Sequence, residues 1–407
     1  MSIFKHPISR RTVLGSGAAI GATLAMPGIL RAAEPKAIKI GILQPVTGNL
    51  AQDGELGRTG AEHAIKFIND NGGIASMDGA KLEMVFGDAR STPEGGTAAV
   101  EEMKSQGVAG IVGGFASPIC LASSQAAARY ELPYIVDVGV SDKIVQRDLK
   151  NTFRFGPGFG ACATTAIANL VKLNEAAGNP AKTVVLVHED GLFGSGLAKL
   201  MAAELPKHGF EILETIAHPT PARDMSNVAL RIRSLKPDLI IPSSYYGETV
   251  LLMRTLQQQR VKPMGYYSVL NGAASNMRFV KEFPEAADHV MDCNHWHDPR
   301  KEESQALVKS VADAGGLWAY NIPLNYSCVK LLADAIDRAK SIEPAAINEA
   351  LAASTFEKHV MPYGPTKFEG GQNMGASPVS LQVQDAAIKV IYPEEFADAK
   401  PVFPING

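Results

Sequence analysis

Two loops of this chain carry residue types suited to holding a carboxylate. The first, Gly113-Gly114-Phe115-Ala116-Ser117-Pro118, stands between an apolar run at 108–112 and a stretch of helical spacing at 117–130. Its glycines let the backbone come close to a ligand. A serine cap and a proline in the first turn leave N–H groups unpaired, and these, with the positive end of the helix dipole, attract an anion. The second loop, Val138-Gly139-Val140-Ser141-Asp142, repeats the theme, with Ser141 ahead of another helical start. One such loop is ordinary capping. Two on adjacent strands predict an acid site.

Other groups were weighed for chemistry. Tyr245-Tyr246 and Tyr266-Tyr267 end predicted strands, so one member of each pair is expected to face a cleft. His295-Trp296-His297 resembles half a metal site, flanked by Asp292 and Asp298, but no third ligand stands nearby. The expectation there is packing, with Trp296 as a wedge. His188-Glu189-Asp190 offers acid and base groups at a strand end. The mature chain has no Gly-x-Ser-x-Gly elbow and no obvious cysteine–histidine pair, so no catalytic residue, metal or cofactor is expected. Cys120, Cys162, Cys293 and Cys328 lie far apart and match no metal spacing; buried thiols are expected, with a Cys293–Cys328 bridge as the alternative.

The elements that must position these residues alternate along the chain. Strands are predicted at 37–43, 81–86, 108–112 and 133–138, with helices at 55–69, from Thr92-Pro93, and at 117–130. The pattern restarts with an extended run at 152–155. Strands follow at 183–188, 210–216 and 239–241, with helices at 159–176, 197–205, 227–235 and 248–259. This predicts an α/β fold of two doubly wound lobes, each a parallel sheet covered on both faces. The helical segments 302–314, 325–340 and 344–352 cannot form a lobe alone and are assigned mostly to the first. A hairpin at 378–383 and 388–392 turns at Asp385-Ala386. In such sheets ligands bind beyond the carboxyl ends of the strands.

The beginning of the chain predicts a location. Arg10-Arg11 precede an uncharged stretch, 12–30, that holds Gly15, Gly17, Gly21, Gly28 and Pro27, with Ala32-Ala33 where a peptidase could cut. Residues 1–33 therefore read as an export signal of the twin-arginine type, cleaved on the way to the periplasm. Removing them from 407 residues leaves 374, too many for one ordinary core. It also removes four basic residues and no acidic ones, so the formal charge goes from −3 to −7. That balance argues against nucleic acid or an anionic membrane as partner. No later apolar run reaches the roughly 20 residues of a membrane-spanning helix.

Several motifs together carry a family resemblance. They are Thr47-Gly48 with Gln52-Asp53-Gly54, Gly60-Ala61-Glu62-His63-Ala64, Ile68 to Ile74, and Gly113-Gly114 with Ser117. They continue through Val187-His188-Glu189-Asp190 and Phe193-Gly194-Ser195-Gly196 to Met361-Pro362-Tyr363-Gly364-Pro365. In this order they resemble the leucine/isoleucine/valine-binding branch of the periplasmic solute-binding proteins, receptors of ATP-driven importers. The resemblance implies a type I fold, two lobes joined by three crossovers. Lobe 1 would be 34–154 plus 294–360, lobe 2 would be 155–293 plus 361–393, and 394–407 a tail. It implies a ligand carboxylate held at Ser117 and at Val140-Ser141, with Phe193 and Tyr245 closing over the solute. Where relatives place an acid for the ligand ammonium, this chain has Asn271; Asp53 could supply the charge from the other lobe. The expected function is therefore a monomeric, non-enzymatic receptor for a small carboxylate, handing it to an inner-membrane permease. An aromatic acid or an amide as solute, or a ligand-sensing module, are the alternatives.

Overall fold

The computed structural model describes residues 37–405, and residues 1–33, expected to be an export signal, lie outside the described residues. Ile38–Gln44 forms β1, buried along nearly its whole length as a central parallel strand must be. α1 (Ala51–Asp70) follows, then β2 (Leu82–Asp88), α2 (Pro93–Ser105), β3 (Ile111–Gly113), α3 (Ser117–Ala128), β4 (Tyr134–Val136) and β5 (Thr152–Arg154). α1 begins at residue 51 rather than 55, because the Gly54 N–H closes a turn onto the Leu50 carbonyl and Asp53 complements the dipole in the first turn. The opening loop is correspondingly shorter, and Asp53 is helical. α2 is capped as its sequence dictates, with the Thr92 side chain accepting from the Gly95 N–H.

The second lobe repeats the plan. It runs α4 (Phe159–Ala176), β6 (Thr183–Glu189), α5 (Leu192–Glu204), β7 (Glu211–His218), α6 (Ser226–Leu235), β8 (Leu239–Ser243), α7 (Tyr246–Gln258) and β9 (Gly265–Val269). Two short helices, α8 (Met277–Glu282) and α9 (Pro284–Ala287), lead to β10 (Met291–Asn294). α10 (Glu302–Asp313), α11 (Asn321–Ala339) and α12 (Pro344–Ala352) follow. α11 packs on α1 and behind β3 and β4, so these helices belong with the first lobe.

The chain then forms β11 (Phe368–Glu369), β12 (Gln372–Asn373), β13 (Val379–Gln384) and β14 (Ala387–Tyr392). β11 and β12 extend the first sheet, whose order is β11-β12-β5-β4-β3-β1-β2. This corrects the expected span 361–393 of lobe 2. Gln372 pairs with Arg154 of β5, so the third crossover falls between Asn373 and Val379. The second sheet runs β14-β13-β10-β9-β8-β6-β7, with β13 and β14 antiparallel and turning at Asp385 and Ala386, both at positive φ. The tail docks on this sheet: Gln382 exchanges side-chain hydrogen bonds with Val402, and the Ile405 N–H donates to Met264.

Three short connections join the lobes, and the first and third are stitched together. The Arg154 guanidinium donates to Gln372, Gln372 to the Gly156 carbonyl, and Asn373 to the Phe155 carbonyl. All four cysteines are buried and free, so the alternative Cys293–Cys328 bridge is absent. Among the described residues no helix is long and apolar enough to cross a membrane.

Candidate functional site

β1 lies between β2 and β3, and β6 between β7 and β8, so each sheet reverses its strand order beside its first strand. Loops at the carboxyl ends near those reversals line a single small cavity of about 30 Å³. Lobe 1 contributes Phe115, Ala116 and Ser117 after β3, and Val138 and Val140 after β4. Lobe 2 contributes Phe193 at the start of α5, Ser244, Tyr245 and Tyr246 after β8, and Leu270 and Asn271 after β9. Asn294 and His295 at the second crossover, with Tyr320 ahead of α11, complete the wall.

The lobe 1 wall presents hydroxyls and a helix N-terminus, groups that can meet an anion. Ser117 is the first residue of α3 rather than its cap; Ala116 holds the cap position. The Ser117 hydroxyl instead accepts the Ser141 N–H at 3.1 Å, which ties the two loops and leaves its own proton for another acceptor. The Ser141 hydroxyl is buried without a partner. Both hydroxyls stand by the first turn of α3, whose N–H groups lack intrahelical acceptors. Asp137 braces these loops. Its carboxylate accepts from Gln44 at 2.7 Å, Phe115 N–H at 3.0 Å and Val138 N–H at 2.6 Å, while burial pushes its proton affinity up against those bonds. Arg154 braces them from behind, donating to the Val140 and Ser141 carbonyls, both at 2.8 Å, and to Asp142 at 2.7 Å.

Backbone conformation at the wall is unusual in both lobes. Phe115 and Leu270 hold φ of 55° and 57°, a region that side-chain-bearing residues seldom occupy. Strain of this kind clusters at ligand sites. Gly113, at φ 139°, has no room for a side chain: a Cβ there would lie 1.9 Å from the Leu43 carbonyl oxygen.

Aromatic rings close the middle of the cleft. Tyr245 packs 5.3 Å from Phe193 in its own lobe and 5.9 Å from Phe115 across the gap, centroid to centroid. Tyr320 stacks on His295 at 6.2 Å. Both members of Tyr245-Tyr246 reach the wall. Neither Tyr266 nor Tyr267 does, contrary to expectation: Tyr266 donates to the Val261 carbonyl, and Tyr267 is fully buried against the Ser380 hydroxyl.

None of the residues lining the cavity is Asp, Glu, Lys or Arg. Asp53 sits outside this wall, in the first turn of α1, buried and with Oδ1 unpartnered. Burial, then the charge of Glu248, pushes its carboxyl up to about 7, with Asn321 opposing. Glu248 belongs to α7 of lobe 2 and is itself raised by burial, while accepting the Ala222 N–H. Ser117, Val140, Phe193, Tyr245 and Asn271 thus meet at one cavity, with Ser141 bound to its wall and Asp53 apart.

His295 corrects the packing expectation: it lines the cavity, whereas His297 turns away to the Ser304 hydroxyl at 2.7 Å and the edge of Trp318. Its available signal was position, since it follows β10 as the other wall residues follow their strands. Phe115, Tyr246, Leu270 and Tyr320 also line the cavity without having been singled out as ligand residues. Glu189 has a structural task, accepting the Gly191 and Gly194 N–H groups at the start of α5. Among the described residues no cluster of His, Cys, Asp and Glu could hold a metal ion.

Comparison with known proteins agrees with this architecture. A Leu/Ile/Val-binding protein homolog 7 of Brucella melitensis is 28% identical over 388 residues, covering 92% of this chain and 96% of that protein. A leucine-binding protein of Thermotoga maritima superposes with a TM-score of 0.74 at 21% identity, covering 87% of this chain and 97% of its own. A solute-binding protein of an R. palustris ABC transporter, in complex with benzoate, superposes at 0.75 and 20% identity, covering 90% and 98%. The family model for periplasmic binding proteins matches residues 37–387. The resemblance read from the motifs is borne out, and the chain belongs to the periplasmic binding protein family.

Proposed function

We propose that this protein is an extracytoplasmic solute receptor of an ATP-driven importer, a monomer without catalytic activity. It would trap a small carboxylate between its lobes in the periplasm and deliver it to an inner-membrane permease. One observation carries the reading: Ser117 and Val140 of lobe 1 share a cavity with Phe193, Tyr245 and Asn271 of lobe 2. A solute touching both sides binds the closed form more tightly than the open one, so binding drives closure. The carboxylate would lie at Ser117, Ser141 and the α3 N-terminus, and the aromatic rings would cover the rest.

The names of the relatives favour leucine-like amino acids. A second reading of the solute has its own support. No carboxylate lines this wall: Asp53 stands behind Tyr245, Tyr246 and Tyr320, so an ammonium at the wall would lack a direct carboxylate partner, and burying an unpaired charge is costly. An amine-free acid avoids that cost, and one neighbour of this fold is complexed with benzoate. Thermal-shift screening of amino acids, amides and aromatic acids tests both, since a ligand at 100 times its Kd stabilises by about 2.7 kcal/mol. Tyr245→Ala should weaken the best hit by about 1–3 kcal/mol in calorimetry. A screen without any stabilising compound refutes the receptor reading, and unchanged affinity removes Tyr245 from the site.

A further inference from the structure

The polar side chains of the wall divide into those already saturated and those left free. Ser244 is taken by His218 Nε2 at 2.6 Å. Asn294 donates to Ser275 and Asp292 and accepts the His295 N–H. These groups hold the frame. By contrast, the Tyr246 hydroxyl and two nitrogens, Asn271 Nδ2 and His295 Nε2, are buried with no partner, and the two nitrogens belong to residues each 1% exposed. A buried polar atom without a partner is costly, and a ligand that pairs it recovers that cost.

Both nitrogens are held in place. Asn271 Oδ1 accepts the Ala273 N–H at 2.9 Å, which fixes the amide orientation and leaves Nδ2 as the free end, a donor. The His295 ring is held by Tyr363, whose hydroxyl lies 3.2 Å from Nδ1, and by the stack with Tyr320. Burial, then the charge of Arg154, pushes the imidazole down to about 3, so the ring is neutral. Neither residue can balance a charge on a solute, and both can hydrogen-bond to a neutral group.

We propose that Asn271 and His295 form a neutral recognition pole, and that the solute carries, besides its carboxylate, an uncharged oxygen that accepts from Asn271 Nδ2 and pairs with His295 Nε2. The solute class is then a hydroxy, oxo or amide-bearing acid. This rests on the receptor reading and narrows its substrate. A donor and a neutral imidazole discriminate against the parent acid lacking that oxygen, because the parent leaves both atoms unpaired.

Calorimetry on the full mature chain tests this with matched pairs. The probes are 4-methylpentanoate with its 2-hydroxy and 2-oxo derivatives, leucine, and benzoate with 3- and 4-hydroxybenzoate. In the unmodified protein an oxygen-bearing acid should bind at least about tenfold more tightly than its parent. His295→Phe and Asn271→Ala should each bring that acid down towards the parent while moving the parent less than about threefold. His295→Gln, which keeps a neutral hydrogen-bonding end, should restore part of the difference. It also serves as the second variant if His295→Phe folds poorly. Parents and derivatives binding equally, leucine binding most tightly of all, or variants weakening every acid alike would each overturn the pole and leave the receptor reading standing. Silence from every probe would overturn both.

Discussion

At Asp53 the cost of burial is set against the closed cleft. The folded carboxyl titrates near 7 against an ordinary 3.8, because it is desolvated and shares its surroundings with Glu248 of the other lobe. Between those values the folded chain keeps a proton that the unfolded chain releases. Stability from this group is therefore fully present below about pH 4 and is lost as pH rises through about 7. Asp53→Asn removes the titration. Urea unfolding at pH 4, 6 and 8 should show the variant gaining on the parent as pH rises, by on the order of 2–4 kcal/mol at pH 8. A difference that stays constant with pH would detach Asp53 from this account. Residues of the site differed in how legible they were. Ser117 and Tyr245 stood out because a glycine–serine–proline loop and a strand-ending aromatic pair each suit ligand contact. His295 was masked by His297, two positions on: taken as a pair they resembled half a metal site and were assigned to packing, although the two rings point to different neighbours. Asp53 could be named but not placed, since four residues of extra helix decide which way it faces.

Loops that hold a ligand need elements behind them that do not yield, and here β5 supplies that support. Arg154 ends β5, is 2% exposed, and reaches the loop after β4, Asp142 and Gln372 of β12 through one planar fork. Arg154→Met would strand two buried carbonyls and the Asp142 carboxylate. A loss of about 3–5 kcal/mol is expected in denaturant unfolding, with weaker binding of the best carboxylate hit. Arg154→Lys keeps the charge but not the fork, and should recover only part of it. Full stability in the Met variant would show that the loop stands without this brace. Elements of this kind were partly legible. Runs of β-branched residues between helical stretches announced both parallel sheets, and Asp385-Ala386 announced the last turn. The β11–β12 hairpin was not, because strands of two residues lie below the length at which alternation carries a signal. Its sheet is decided by the pairing of Gln372 with Arg154, a contact 218 residues apart.

For the molecule as a whole, closure rests on more than the solute and the hinge. Residues 275–277, leading into α8 of lobe 2, pair with 318–320 ahead of α11, which packs on α1 of lobe 1. The Met277 N–H donates to Trp318 at 2.9 Å, and the Tyr320 N–H to Ser275 at 3.1 Å. This small antiparallel bridge, Asn276 to Ala319, adjoins the cavity through Tyr320, and we expect it to part if the lobes open. On the proposed receptor reading it would add to the closed state whatever two net hydrogen bonds contribute, and so would set how readily the solute-free protein closes. Met277 is the first residue of α8, where a proline fits without harming the helix, and Asn276 before it is already extended at φ −137°, ψ 117°. Met277→Pro therefore deletes one cross-lobe donor without harming the helix start; because it also removes Met277 packing, Met277→Ala serves as the control that keeps the donor. Without solute the variant should show a larger radius of gyration in small-angle scattering. With the best hit it should bind more weakly by about 0.5–1.5 kcal/mol. If size and affinity both stay unchanged, the bridge does not restrain the lobes, and closure depends on the solute and the crossovers alone.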